Sequence, residues 1–315
     1  MFKQSMRNLL LAFLSFSSPT EAFNQKVVQA NGLDFWTESF GNPQDPPILL
    51  IMGHARQGLM WHQAFCEKLA SQGYFVIRYD HRDTGLSSSI DYKKKPYSFM
   101  DMGKDAIAIL DSYQVPKAHI VAYSMGCPIT VLIGSHYPQR VSTMTLISGS
   151  IDFRPCLDAL DGKANKHKLS PSGPEYVKWV RSFATNMPEN QKDLVDRIVQ
   201  GDMVLNGSGI HFDEALHRQL AMQSVLRSKT TAGSMNHRSA TEASFPLYRD
   251  AAQKVKTPTL IIQGDHDTIF PVDHGEYMKS QIPNSQLVII PKMGHSLNEA
   301  FYEEVIDQIM KVTGK

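Results

Sequence analysis

Three side chains in this sequence have the types needed to break an acyl bond, and each follows an apolar run: Ser124, Asp267 and His295. A serine hydroxyl is a poor nucleophile until a base takes its proton, and the base must be oriented by a third group. Ser124 lies in Ile120-Val121-Ala122-Tyr123-Ser124-Met125-Gly126, an apolar run cut by a serine with small residues at −2 and +2. This pattern predicts a sharp strand-to-helix turn that holds the hydroxyl up at the end of a sheet, with small flanks because the backbone packs closely on both sides. Ala122 stands where the first glycine of the usual G-x-S-x-G pattern would be. On its own such a serine also fits an ordinary turn, so the assignment rests on its partners.

His295, in Met293-Gly294-His295, is the natural base, and Asp267, in Gly264-Asp265-His266-Asp267, the natural orienter. Two other carboxylates compete. Asp265 is two residues from Asp267 and would point elsewhere; Asp152 follows an earlier strand whose end can also place a carboxylate near the histidine. A tetrahedral oxyanion needs two backbone N–H donors. Met125, after the nucleophile, supplies one, and His54, after Gly53, the other through its amide, while its imidazole lines or caps the pocket. His211, His217 and His237 have no ligand-like neighbours in sequence and read as exposed or pocket-lining residues. With no G-x-G-x-x-G at a strand–helix turn and no Walker glycine loop, the sequence implies no cofactor and no metal.

The elements that must hold these residues form a regular series. Lys26 to Ala30 and Leu33 to Phe40 alternate about Asn31-Gly32 and predict a hairpin. Strands follow at Ile48–Met52, Phe75–Tyr79, His119–Tyr123, Thr143–Ser148, Thr259–Gln263 and Gln286–Ile290, with helices at Trp61–Gln72, Phe99–Tyr113 and Met125–Tyr137 and a closing one marked by Tyr302, Val305, Ile306 and Ile309. Continuous apolar strands alternating with helices predict an α/β fold: a mostly parallel sheet with helices on both faces. About a hundred residues from Ser150 carry no good strand; Tyr176, Trp179, Val180, Phe183 and Met187 make a helical stripe, and Leu194 and Ile198 begin another. The expected division is therefore a core of residues 23–150 and 251–315 with a helical insertion at 151–250.

The chain has 315 residues and a formal charge of +1, which implies no nucleic acid or anionic surface as partner. Lys3 and Arg7, the apolar Leu9–Phe16 and Thr20-Glu21-Ala22 predict a secretory signal peptide over residues 1–22, with a mature N-terminus near Phe23 and a secreted or periplasmic protein; a retained, cytoplasmic form is the alternative. That apolar run is too short to span a bilayer, and no later one is long enough. Cys66, Cys127 and Cys156 are an odd set, hence no disulfide framework, and Cys127 reads as a small apolar filler.

The order Ser124, Asp267, His295 and the segment Ile77-Arg78-Tyr79-Asp80-His81-Arg82-Asp83-Thr84-Gly85-Leu86-Ser87 resemble the α/β-hydrolase superfamily, and within it the aclacinomycin methylesterase group. Most members carry D-x-R-G-x-G-x-S here; Asp83 in place of that glycine is similar to the methylesterase group. Met52-Gly53-His54, Ser124-Met125-Gly126 and Met293-Gly294-His295 extend the match. The resemblance implies hydrolysis of a carboxylic ester of a small or medium apolar substrate through an acyl-serine, without cofactor, under a helical cap formed by the insertion. Lactone hydrolysis, C–C bond hydrolysis or cofactor-free perhydrolysis by the same triad are the alternatives. A non-catalytic binding protein on this scaffold would usually have lost a triad member.

Overall fold

The computed structural model describes residues 24–186, 188–230 and 232–314; the expected signal peptide and Met187 lie outside the described residues. The hairpin forms as expected: β1 (Asn24–Ala30) and β2 (Leu33–Phe40) pair antiparallel around Asn31 and Gly32, at φ +52° and +74°. Two consecutive left-handed residues suit the right-handed twist of the strands they join. The remaining strands are β3 (Pro47–Ile51), β4 (Phe75–Tyr79), β5 (Ala118–Tyr123), β6 (Val141–Ile147), β7 (Thr259–Gly264) and β8 (Ser285–Ile290). They complete one sheet in the order β1-β2-β4-β3-β5-β6-β7-β8, parallel from β4 to β8.

The sheet is wound in both directions from β3, first outward to β4 and then back to β5. Loops leaving β3 and β5 therefore part to opposite faces and leave a crevice between them at the carboxyl edge, where ligands bind in open parallel sheets. Gly53-His54 and Ser124 are the residues at that edge.

Alternate residues of the central strands face two separate cores. Ile48, Leu50, Val76 and Val121 pack with Phe65, Cys66 and Leu69 of α1 (Gln63–Ser71) and Val305, Ile306 and Ile309 of α10 (Tyr302–Thr313). Leu49, Ile51, Ile77 and Ile120 pack on the other face against α2 (Phe99–Ser112), α3 (Gly126–His136) and α9 (Val272–Gln281). α2 starts where Ser98 and Asp101 cap each other's backbone N–H groups, satisfying two donors that the first turn leaves free. α1 begins two residues later than expected, because Gly58–Met60 takes up a 3-10 turn ahead of Trp61.

Between β6 and β7 lie five helices: α4 (Arg154–Asp161), α5 (Pro174–Thr185), α6 (Gln191–Val204), α7 (Glu214–Arg227) and α8 (Gly233–Ala252). The stripe on α5 stacks as an aromatic run, with ring centroids 6.1 Å apart for Tyr176–Trp179 and 5.2 Å for Trp179–Phe183. Residue 250 falls inside α8. The C-terminal half of that helix, with Tyr248, Ala251 and Ala252, packs into the main core, while its first turns sit over the carboxyl edge of the sheet. α8 thus runs as one helix from the insertion into the core. No described helix is long and apolar enough to cross a membrane.

Candidate active site

Ser124 sits at φ +54°, a left-handed conformation that costs a residue with a side chain on the order of 1 kcal/mol or more. Its N–H donates to Ile147 O at 2.9 Å and its carbonyl accepts from Cys127 N at 2.9 Å, so neighbouring elements hold the turn in place. The close packing expected from the small flanks is present. A Cβ on Gly53 would stand 3.0 Å from the Ser124 Cβ, and one on Gly126 would stand 2.5 Å from Ile51 O. Ala122 is fully buried, and its methyl is accommodated.

From this turn a continuous relay runs through three strand ends. The Ser124 hydroxyl donates to His295 Nε2 at 3.1 Å, and His295 Nδ1–H donates to both Asp267 oxygens, at 2.9 and 3.0 Å. Asp267 is in turn fixed by three N–H donors: Ile269 N at 2.8 Å and Phe270 N at 2.9 Å on Oδ1, and Gln263 Nε2 at 3.0 Å on Oδ2. All three members are nearly buried, at 7%, 4% and 5% exposure for Ser124, His295 and Asp267, which strengthens each charge–dipole contact. Tyr123 donates its hydroxyl to the His295 carbonyl, and the Phe270 ring stands 5.8 Å from the imidazole.

The rival carboxylates are occupied elsewhere. Asp152 holds Arg154 through bonds of 2.9 and 2.6 Å, and Asp265 accepts from Lys292 N at 2.6 Å and from His266 on the surface. Gln263 was not singled out in the sequence, although a polar residue ending the apolar Thr259–Ile262 run was the available signal.

Met125 caps α3 directly after Ser124, and His54 lies in the loop leaving β3, whose Ile51 pairs with Ala122 of β5. His54 is exposed, and its ring stands edge-on to that of His237 on α8 with centroids 5.9 Å apart. Arg56 forms an ion pair with Asp202 of α6, whose other oxygen accepts from His217 Nδ1 at 3.0 Å.

The central histidines depart from expectation. His211 is exposed, but His217 and His237 are buried and bonded, at 5% and 0% exposure. Sequence spacing could not reveal this, because their partners are more than a dozen residues away in the chain.

The insertion reaches the loops of His295 and of Asp83. Ser296 N donates to Leu205 O at 2.8 Å, Asn298 Nδ2 donates to Asn206 Oδ1 at 2.8 Å, and Gly207 lies so close that an added Cβ would stand 2.7 Å from Gly294 N. On the other side, Asp83 stands at φ +67°, explaining the glycine of related sequences, and its carboxylate accepts from Tyr97 OH at 2.7 Å, Ile90 N at 2.5 Å and Asn236 Nδ2 of α8 at 3.0 Å. The residue trades glycine's freedom for three anchoring bonds. Cys66, Cys127 and Cys156 are all free and buried, and Cys127 fills the space beside Gly149 behind the elbow.

Burial pushes the His62 and His81 imidazoles down to about 4, and His237 well below its ordinary value. The unfolded chain, with imidazoles near 6.5, takes up protons that the folded protein refuses. Stability is therefore full above about pH 7 and falls as pH drops from about 6.5 towards 4. Urea unfolding followed between pH 7.5 and 5 is expected to show a net proton uptake that grows as the pH falls. A stability that stays level across that range would contradict neutral buried imidazoles.

Residues 46–300 match the family described as alpha/beta hydrolase fold. The chain is 33% identical over 283 residues to rhodomycin D methylesterase DnrP of Streptomyces peucetius, covering 88% of this chain and 94% of that protein. It is 32% identical, over the same shares, to rhodomycin D methylesterase DauP of a Streptomyces species. Among solved structures, the enol-lactonase of Burkholderia xenovorans superposes with a TM-score of 0.72 at 18% identity, covering 92% of this chain and all of that one. At that identity the likeness speaks for the fold alone. With the sheet order, the sequence match and the methylesterase relatives in agreement, the chain belongs to the alpha/beta hydrolase fold family, within its group of esterases.

Proposed function

We propose that the protein is a serine hydrolase that cleaves a carboxylic ester of a small or medium apolar substrate. Ser124 is the nucleophile, His295 the base and Asp267 the acid. The observation that carries this reading is the unbroken relay from the Ser124 hydroxyl through both nitrogens of His295 to a carboxylate held by three further donors.

His295 takes the Ser124 proton at Nε2 as the oxygen attacks the ester carbonyl, and the imidazolium is stabilised through Nδ1–H by Asp267. The backbone N–H groups of Met125 and His54 receive the oxyanion. Collapse expels the alcohol, protonated by His295, and leaves an acyl-serine. Water, deprotonated by the same imidazole, then releases the acid. The two relatives named as methylesterases support a small alcohol as leaving group.

The test is a panel of p-nitrophenyl esters from acetate to decanoate, with methyl esters and a lactone of matched size. Hydrolysis of short and medium acyl chains is expected, declining for long ones. No turnover of any ester would refute the reading, and a lactone preferred over every open-chain ester would move the assignment to lactone hydrolysis.

A further inference from the structure

The loop that carries the His54 amide closes on itself by one long bond, Arg56 N to Gly53 O at 3.4 Å, and takes further support from outside. Ala55, the next residue, sits at φ +55°, a left-handed conformation unusual for a residue with a Cβ. The Ala55 N–H is directed out of the loop and donates to Nδ1 of His237 on α8 at 3.0 Å. Because Nδ1 accepts, the ring proton is on Nε2, and it donates to Arg82 O at 2.9 Å in the loop after β4. One fully buried imidazole thus ties two loops of the sheet edge to one turn of α8.

The surroundings fix that imidazole and its tautomer. The His81 ring stands perpendicular to it with centroids 5.9 Å apart, and His81 Nε2–H donates to Met52 O at 2.9 Å, at the other end of the same loop. The His54 ring packs edge-on against His237 at 5.9 Å and bonds to the backbone of Ser234, one turn earlier on α8. Arg82, whose carbonyl His237 uses, is locked by two bonds to Asp105 at 2.7 and 2.8 Å. A Cβ on Gly233 would stand 2.6 Å from Asp83 O, so α8 is seated directly on the β4 loop. Burial keeps all charge off His237, and a protonated Nδ1 would have nothing to offer the Ala55 N–H.

A single peptide unit joins His54 to Ala55. The His54 N–H lies in the preceding peptide unit, hinged to this one at the His54 Cα, so releasing the Ala55 N–H lets that Cα shift and carries the His54 N–H with it, while an oxyanion donor must be aimed to within a few tenths of an ångström. We propose that His237 is a positioning residue for the oxyanion hole, carried by the insertion, so that the hole is complete only while α8 is seated on the sheet edge. This rests on the reading of Ser124, His54 and Met125 given above. The residue never touches the reacting atoms. It acts through the His54 amide.

The experiment compares His237→Leu, His237→Gln and His237→Asn with the wild type. Asparagine places an oxygen where Nδ1 was and keeps an acceptor for Ala55 N–H; glutamine reaches towards Arg82 but leaves the Nδ1 position without one; leucine fills the volume with neither. Three readouts are taken on protein shown to be folded by near-ultraviolet circular dichroism: kcat and KM on p-nitrophenyl acetate, the inhibition constant of a phenylboronic acid that forms a tetrahedral adduct on serine, and that of the uncharged product alcohol. Leucine and glutamine are expected to lower kcat by on the order of 10²-fold, the scale of losing one oxyanion donor, with KM within about twofold. They should weaken the boronate in parallel and leave the alcohol's affinity unchanged, while asparagine recovers at least about tenfold of the lost kcat.

Equal kcat for all four proteins, or a loss that asparagine shares with leucine, overturns the proposal. If leucine does not fold, the asparagine–glutamine pair decides alone. A wild type that neither turns over the ester nor reacts with a fluorophosphonate refutes the reading of the site itself, a result distinct from any pattern among the variants.

Discussion

Ser124→Ala is expected to lower ester turnover by on the order of 10⁴- to 10⁶-fold while the protein stays folded. The alanine removes one oxygen and leaves every element that shapes the turn. Ser124 N still meets Ile147 O and its carbonyl still meets Cys127 N, since both are backbone bonds. What goes is the hydroxyl bonded to His295 Nε2. The residual rate should come from binding and the oxyanion donors alone. A fluorophosphonate should label the wild type at Ser124 and leave the alanine protein unlabelled, with mass spectrometry of the digest reading the site. An active alanine variant, or label elsewhere, would remove Ser124 from the mechanism.

The second large effect separates the two acidic candidates. Asp267→Asn keeps size and shape but puts an amide where His295 Nδ1–H now finds two carboxylate oxygens. The imidazole must either lose that bond or turn its other tautomer to the serine, and the charge that stabilises the imidazolium is gone. A loss of about 10⁴-fold in kcat is expected, the scale seen when a triad aspartate becomes asparagine. Asp152→Asn is expected to change kcat by less than about threefold, because its partner is Arg154 and not the imidazole. Steady-state kinetics of the two variants side by side decide the matter, and the reverse ranking would place the acid after β6.

The catalytic candidates were legible because their signals are local. Each stands just beyond an apolar strand, and glycines at Gly53, Gly126 and Gly294 mark where backbone must approach backbone. The strands were legible for a similar reason: a strand covered on both faces is a continuous apolar run, and β3, β4 and β5 are such runs. The insertion was less so. Its helices show stripes, but which loops they meet depends on contacts far along the chain, as with His237 and Ala55, 182 residues apart. Gln263 escaped notice because a lone amide at a strand end has many innocent uses. The division at residue 250 failed to anticipate that α8 would belong to both parts.

The bonds between Leu205–Gly207 and the segment around Gly294, Ser296 and Asn298 bear on how such a protein diversifies. The histidine loop has Ser296 N and the Asn298 amide satisfied by the insertion between β6 and β7. Substitutions on α5 to α7 away from these bonds leave the histidine loop's supports in place, whereas wholesale exchange of 151–250 with a relative's counterpart carries off those that Leu205, Asn206 and His211 supply. A lineage built this way changes its diet by small steps inside a fixed frame. Swapping the whole lid would first unsettle the base.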